Sequence, residues 1–111
     1  MTTFLKSYNF TAILSLFSTE NGGRKKPVYD NFRPSFSFNS VNHVSGEISF
    51  PEQDEVLPGS TAKAVVKILP SKHIRQHLKS GDSFTILEGS KIIGSGVIQQ
   101  IDQENRFPVV Q

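Results

Sequence analysis

Four basic residues lie close together in the segment NGGRKKPVYDNFRPSF, residues 21–36. Arg24, Lys25 and Lys26 follow a glycine pair, and Arg33 precedes a proline. Guanidinium and ammonium groups donate hydrogen bonds to phosphate oxygens, and glycine lets the backbone approach a phosphate closely. The segment therefore fits a phosphate-binding loop, a nucleic-acid contact or a plain connection between two strands, and the pattern alone does not separate the three.

A second glycine-rich segment, GSKIIGSG, bears on nucleotide binding. Gly89 and Gly94 have the separation of the two glycines of a P-loop, but Ser95 stands where the lysine belongs. Without that lysine the segment lacks the group that reaches the terminal phosphates. The chain also has no G-x-S-x-G nucleophile elbow. We therefore expect no nucleotide, no cofactor and no enzymatic activity.

Two histidines have the spacing of zinc ligands on a helix. His73 and His77 are four residues apart, but the intervening glutamate of H-E-x-x-H is absent. Lys72, Arg75 and Lys79 lie on the same turns and would repel a dication, so a solvated basic helix is expected in place of a metal site. A run of acidic residues also lacks the spacing of a calcium loop and is expected to be a solvated turn: Glu52, Asp54 and Glu55.

Composition limits the class of protein. The chain has 111 residues and no cysteine, which is enough for one domain and excludes a disulfide scaffold. Its net charge is only +2, so binding of nucleic acid depends on where the basic residues lie. The apolar stretches are short and the N-terminus lacks the pattern of a signal peptide. We expect a cytoplasmic domain with no membrane partner.

Apolar and polar residues alternate with a period of two along most of the chain. Phe36 and Phe38 alternate with Ser35 and Ser37, as expected for a half-buried strand. The same pattern predicts six strands, at about residues 4–17, 34–40, 44–50, 61–69, 83–88 and 91–101. Proline and glycine residues separate these strands. In so short a chain, the sheet is expected to close into an antiparallel, Greek-key β-barrel, because closure removes the exposed sheet edges.

Three further local features are predicted. Gly89, at the first central position between the last two strands, suits a type II′ hairpin turn. Ile74 and Leu78 are four residues apart in PSKHIRQHLKSG, which predicts a short helical insert near residues 71–79. The tail, residues 102–111, is expected to be loosely held outside a core of residues 4–101.

Several motifs, taken in order, resemble the third, C-terminal domain of elongation factor Tu and related translational GTPases. That family has a Gly-Gly-Arg turn, an aromatic-Arg-Pro-x-Phe strand, a Val-Thr-Gly-x-Ile hairpin, a Pro-Gly turn and a closing Phe-x-Ile-x-Glu-Gly hairpin. This chain has the corresponding residues, over roughly residues 4–101: Gly22, Gly23, Arg24; Phe32, Arg33, Pro34, Phe36, Phe38; Val44, Gly46, Ile48; Leu57, Pro58, Gly59; Phe84, Ile86, Glu88, Gly89, Gly94, Gly96 and Val97.

The resemblance implies a six-stranded antiparallel barrel, in agreement with the strand count. In the family this barrel follows a GTPase domain and a second barrel, and it grips the backbone of the T-stem of aminoacyl-tRNA. We expect the present chain to be a stand-alone domain without GTP hydrolysis. Three contact positions of the family are carried over: Arg24, the turn residue Gly89, and Ser45, which keeps the hydroxyl of the family threonine.

Other family positions have changed. The glutamine between Pro and Phe is Ser35, a lysine before the proline that ends a long strand is Leu69, and an arginine of the last hairpin is Leu87. Gly-Arg after that hairpin's turn becomes Ser90-Lys91. By strand alternation Ser35, Ser45 and Leu69 should lie on outward faces. The surface thus differs from the family more than the scaffold does.

Two functions follow as hypotheses. The first is a non-catalytic module that contacts tRNA, other structured RNA or the translation machinery through Arg24, Lys25, Lys26, Arg33, Ser45, Gly89 and Lys91. The second is a protein-interaction module that docks on, or mimics, a translation GTPase and does not bind RNA. Its contacts would be two exposed apolar residues, Leu69 and Leu87.

Overall fold

The computed structural model describes the backbone of residues 2–38, 43–68 and 78–110, and the side chains within residues 9–38, 43–68 and 78–101. Its strands are β1 (Thr2–Leu16), β2 (Val28–Tyr29), β3 (Ser35–Ser37), β4 (His43–Ser49), β5 (Glu55–Val56), β6 (Thr61–Ile68), β7 (Ser83–Glu88) and β8 (Lys91–Val110). Six of them close into an antiparallel barrel in the order β1-β6-β4-β3-β7-β8. The predicted six-stranded barrel is confirmed.

The order of the strands is that of a Greek key. β3, β4 and β6 are neighbours in turn, whereas β1 pairs with β6 and not with β3. The long connection of residues 17–34 therefore runs from one part of the barrel to another. This connection carries most of the basic residues that the sequence singles out, so its path decides where they lie.

The barrel interior contains the residues that alternation assigns to the inward faces. Phe10 and Phe36 are fully buried and Phe84 nearly so. The Phe84 ring lies 5.7 Å from the Phe10 ring and 5.9 Å from the Phe36 ring, centroid to centroid, and Phe38 packs against the same cluster. On β6 every second residue is buried: Ala62, Ala64, Val66 and Ile68. Small residues at two of these positions leave room for the aromatic rings.

A small ribbon outside the barrel was not expected from the sequence. β2 and β5 pair with Val28 opposite Val56, and both valines are 1% exposed. Hydrogen bonds tie the ribbon to the barrel: the Asp30 carboxylate accepts from the Phe50 N–H at 2.6 Å, and the Asn31 N–H donates to the Ile48 carbonyl at 2.9 Å. Two-residue strands carry too little alternation to be found from the sequence.

The last strand is longer than expected. β8 reaches Val110, and its residues 103–110 pair with residues 2–9 of β1. The backbone of residues 103–110 thus continues the ladder of β1, and how loosely this tail is held stays a prediction. Alternation is weak in this tail, and only the partner strand reveals the pairing.

The turn between β7 and β8 has the expected form. Gly89 has φ +64°, whereas Ser90 is absent from the left-handed region. A type II′ turn requires positive φ at its first central residue alone, so the prediction of that turn is confirmed.

The helical insert near residues 71–79 falls largely outside the described residues, which resume at Leu78. Leu78 and Lys79 are not helical, and Leu78 is buried. Among the described residues, the one helical element is a 3-10 turn, Thr19–Asn21. No helix among these residues has the length and apolar character needed to cross a bilayer.

Candidate nucleic-acid interface

Arg24 is held by other groups of the protein. Its Nε lies 3.3 Å from Oε1 of Glu88, and its Nη1 donates to the Pro27 carbonyl at 3.4 Å. The guanidinium also lies over the Phe32 ring, 4.9 Å from the centroid, which is cation–π geometry. The side chain is only 20% exposed. Arg24 therefore fastens its own connection to the barrel, and a phosphate there would share the guanidinium with Glu88.

The connection after β1 packs against the last hairpin. The Lys91 ammonium donates to the Gly23 carbonyl at 3.3 Å, and the Phe17 N–H donates to the Ile93 carbonyl at 3.0 Å. Together with the ion pair between Arg24 and Glu88, these contacts place Gly89 and Lys91 beside Arg24. Three of the predicted contact residues, distant in sequence, thus meet at one end of the barrel.

A second group surrounds Arg33. Its Nε lies 3.0 Å from Oε2 of Glu47, and its side chain is 78% exposed. Arg33 lines a groove on the outer surface of the barrel, with a volume of about 420 Å³. The other residues of this Arg33 groove are Ser45, Gly46, Glu47 and Lys67. Lys67 stands opposite Glu47 in the pairing of β6 with β4, which brings a second cation to the groove.

A row of paired residues connects the two groups. Ser35 pairs with Ser45 on one side and with Leu87 on the other. Neighbouring strands lie about 4.8 Å apart, so the backbone of Ser45 is about 10 Å from that of Leu87. Ser45 is exposed and Ser35 is half-buried, as alternation predicted for the outward faces. The remaining predicted cations, Lys25 and Lys26, are exposed on the connection before β2.

Leu87 is not an exposed apolar contact. It is 5% exposed, which corrects the expectation that it would offer a surface to a protein partner. A register shift lies between Ile86 and Leu87, and the Arg24 connection packs against the same end of the hairpin. Leu69, the other predicted apolar contact, lies outside the described residues.

Sequence reasoning missed several residues of the interface. Alternation along β6 places Lys67 on the outward face, but its place opposite Glu47 depends on the register of β4 and β6. Tyr29 lines a second hollow, of about 380 Å³, with Lys26 and Asn31. The ribbon that presents Tyr29 is too short to be found by periodicity. No signal in the sequence identified the carboxylates of Glu47 and Glu88 as the partners of the two arginines.

His73 and His77, for which the sequence predicts a solvated basic helix in place of a metal site, lie outside the described residues. Within the part of the chain that the structure describes, no group of three or more His, Asp or Glu side chains could hold a metal ion. The acidic run expected in a solvated turn is exposed at all three positions, Glu52, Asp54 and Glu55.

Comparison with protein-family models agrees with the fold and with the order of the motifs. The model of the elongation factor Tu C-terminal domain matches residues 4–102, nearly the whole of the 111-residue chain. In elongation factor Tu this domain is non-catalytic, since the GTPase activity resides in the first domain. Four barrel strands, β3, β4, β6 and β7, fall inside the matched range, as do Arg24 and the turn at Gly89, whereas β1 and β8 extend beyond it at residues 2–3 and 103–110. The chain belongs to the elongation factor Tu C-terminal domain family.

Proposed function

We propose that this barrel is a non-catalytic module that binds structured RNA, such as a tRNA stem, through the Arg33 groove. The expected compartment is the cytoplasm. One observation carries the proposal: two cations, Arg33 and Lys67, line a groove with a single carboxylate, Glu47, which leaves a net positive charge. The small hydroxyl side chain of Ser45 and Gly46 also line this groove. The family supports a role connected with translation.

The chemistry of the groove suits a phosphodiester backbone. The Arg33 guanidinium uses its Nε on Glu47, and a guanidinium has further N–H donors with which to contact phosphate. The Ser45 hydroxyl can donate to a phosphate oxygen or pair with a ribose 2′-hydroxyl. Lys67 adds a positive charge on the next strand. Such contacts to phosphate and sugar hold an A-form stem without reading its sequence.

The end of the barrel around Arg24 extends this surface. Lys25 and Lys26 are exposed cations, and Gly89 presents the turn backbone without a side chain. Arg24 and Lys91, which bind Glu88 and the Gly23 carbonyl, position these groups. We propose that Lys25, Lys26 and Gly89 contact the same RNA as the Arg33 groove, and that Arg24 and Lys91 contribute from their bound positions.

The test is the salt dependence of binding to a fully paired RNA stem. Phosphate contacts release counterions, so the logarithm of the binding constant should fall linearly with the logarithm of salt concentration. Replacing Arg33 and Lys67 together by glutamine should weaken binding and lower that slope by about 2. Lys63→Gln is the matched control, because Lys63 is an exposed lysine on the same face of β6 that does not line the groove.

Two outcomes would overturn the proposal. One is the absence of binding by the unaltered protein at low salt, and the other is an equal effect of the groove variant and of Lys63→Gln. If the unaltered protein binds no RNA but associates with a translation GTPase, the protein-interaction alternative takes its place. In that case Leu69 is the remaining predicted contact.

A further inference from the structure

We infer that the hollow beside Tyr29 is a subsite for one unpaired nucleobase of the RNA, an inference that rests on the proposed RNA-binding function. This Tyr29 hollow is lined by Arg24, Lys26, Tyr29, Asp30, Asn31 and Phe32 and has a volume of about 380 Å³. The size lies within the range of small-ligand sites. Its walls offer an aromatic ring, an amide and two cations.

The Tyr29 ring is largely open to solvent. The residue is 56% exposed, whereas its neighbour on the same strand, Val28, is buried. An exposed aromatic ring next to cationic groups is the arrangement on which single-stranded nucleic acids stack their bases. Stacking on Tyr29 would bury this ring, and Lys26, which lines the same hollow, offers a cation to the adjoining phosphate.

The backbone under the hollow is held firmly. Asn31 adopts a left-handed conformation, φ +68°, and its N–H is bonded to the Ile48 carbonyl. The Ile48 N–H returns a bond to the Phe32 carbonyl at 2.9 Å, and the Asp30 carboxylate is occupied by the Phe50 N–H. A preformed hollow needs less ordering when a ligand enters. The Asn31 side chain is exposed, and its amide can donate to and accept from the edge of a base.

Charge is not the main feature of the Tyr29 hollow. Arg24 is paired with Glu88, and the Asp30 carboxylate offsets the positive charge of Lys26. A phosphate group alone would find little net attraction here, in contrast to the Arg33 groove. We therefore expect stacking to provide most of the binding in the hollow, with a weaker dependence on salt.

Consecutive residues line the hollow and the Arg33 groove: Phe32 lines the hollow and Arg33 lines the groove. One RNA would lie across both. A stem in the groove that ends in a loop or carries a bulge would present its first unpaired base to Tyr29.

The experiment compares a fully paired stem with the same stem carrying one added, bulged nucleotide, 2-aminopurine, and includes an unpaired oligonucleotide that contains 2-aminopurine. The unaltered protein should bind the bulged RNA more tightly and quench the 2-aminopurine fluorescence. Tyr29→Ala should weaken binding of the bulged RNA by about 5- to 100-fold and leave the paired stem unchanged. Tyr29→Phe should retain the preference, because the ring is retained. Since the side chain is exposed, the circular dichroism of the variants should match that of the unaltered protein.

The results separate the subsite from the groove. If the paired stem binds and Tyr29→Ala changes neither RNA, the subsite is wrong and the proposed function stands. Equal weakening of both RNAs, with no quenching, would also overturn the subsite. If Tyr29→Ala affects an unpaired oligonucleotide while no paired stem binds, the groove is wrong and the subsite stands. Failure of the unaltered protein to bind any of these RNAs overturns both.

Discussion

At the scale of single residues, two arginines that belong to the family motifs, Arg24 and Arg33, have different roles. Arg24 contacts a carboxylate, a carbonyl and an aromatic ring, and is mostly covered. Arg33 makes one ion pair and is 78% exposed. An arginine side chain therefore holds a connection at position 24 and faces solvent at position 33. The positive charge of a sequence segment does not by itself distinguish these uses.

We predict that Arg24→Ala lowers the free energy of unfolding by about 1–2 kcal/mol. The substitution removes the cation–π contact with Phe32 and the ion pair with Glu88. The ion pair contributes little, because the Glu88 side chain is half exposed. Urea unfolding followed by circular dichroism measures this change. Lys25→Ala, at the exposed neighbouring position, is the control and should stay within about 0.5 kcal/mol of the unaltered protein. Similar effects of the two variants would contradict the holding role of Arg24.

At the scale of elements, the interface depends on close approaches between strands and on one turn. β4 and β6 approach each other at Gly46, under the Arg33 groove. The β7–β8 turn at Gly89 directs Glu88 and Lys91 toward the connection after β1. Gly46 and Gly89 have no side chain, and this allows the close approach at β4 and β6 and the tight turn between β7 and β8. Each of these backbone arrangements brings charged residues together.

Gly46→Ala is predicted to destabilise the barrel by about 1–3 kcal/mol. The added methyl carbon would lie 2.6 Å from the Lys67 carbonyl oxygen, 2.7 Å from the Phe36 ring and 2.8 Å from the Ile68 side chain, all closer than such atoms can pack. Thermal unfolding measures the loss. Ser45→Ala at the adjacent exposed position should change the midpoint little, and an equally stable Gly46→Ala protein would show that β4 and β6 can separate at low cost.

Gly89→Ala is predicted to cost about 1–2 kcal/mol for a different reason. No atom lies within 4 Å of the position of the added carbon, so the cost comes from the left-handed backbone alone. Gly89→Asn should cost less, because asparagine tolerates this conformation better. The comparison uses urea unfolding, with Ser90→Ala as the neutral neighbour. An Ala variant as stable as the Asn variant would argue against a strained backbone at this turn.

At the scale of the whole molecule, the barrel continues into a two-stranded extension. β1 pairs with β6 only from Tyr8 to Ser15, whereas it pairs with β8 from Thr2 to Leu16. Among the described residues, 2–7 and 105–110 therefore form a ribbon in which each strand has one neighbour. The longest dimension of the molecule, 51 Å against 30 Å and 26 Å for the others, includes this extension.

Hydrogen exchange should distinguish the ribbon from the barrel. Amides in residues 2–7 and 105–110 are expected to exchange about tenfold faster or more than those of residues 10–16 in the same strand, because a two-stranded pair opens with less loss of packing. Exchange detected by mass spectrometry or NMR gives both rates in one sample. Equal protection along β1 would show that the ribbon is as stable as the barrel.

The sequence by itself determined the barrel and most of its interior. Alternation with a period of two identified the six barrel strands and the inward position of Phe36, and Gly89 identified the type II′ turn. These features depend on side-chain polarity and local backbone preferences, which are local properties of the chain. The order of the family motifs identified the C-terminal domain of elongation factor Tu, and the match over residues 4–102 confirms it.

Tertiary structure alone decided how the charged groups are used. The pairing of Arg24 with Glu88 joins residues 64 positions apart, and the placement of Lys67 opposite Glu47 requires the register of two strands. The burial of Leu87 and the exposure of Tyr29 depend on how the 17–34 connection folds against the barrel. These are long-range contacts, and no periodicity or local propensity encodes which distant side chain a given arginine will meet.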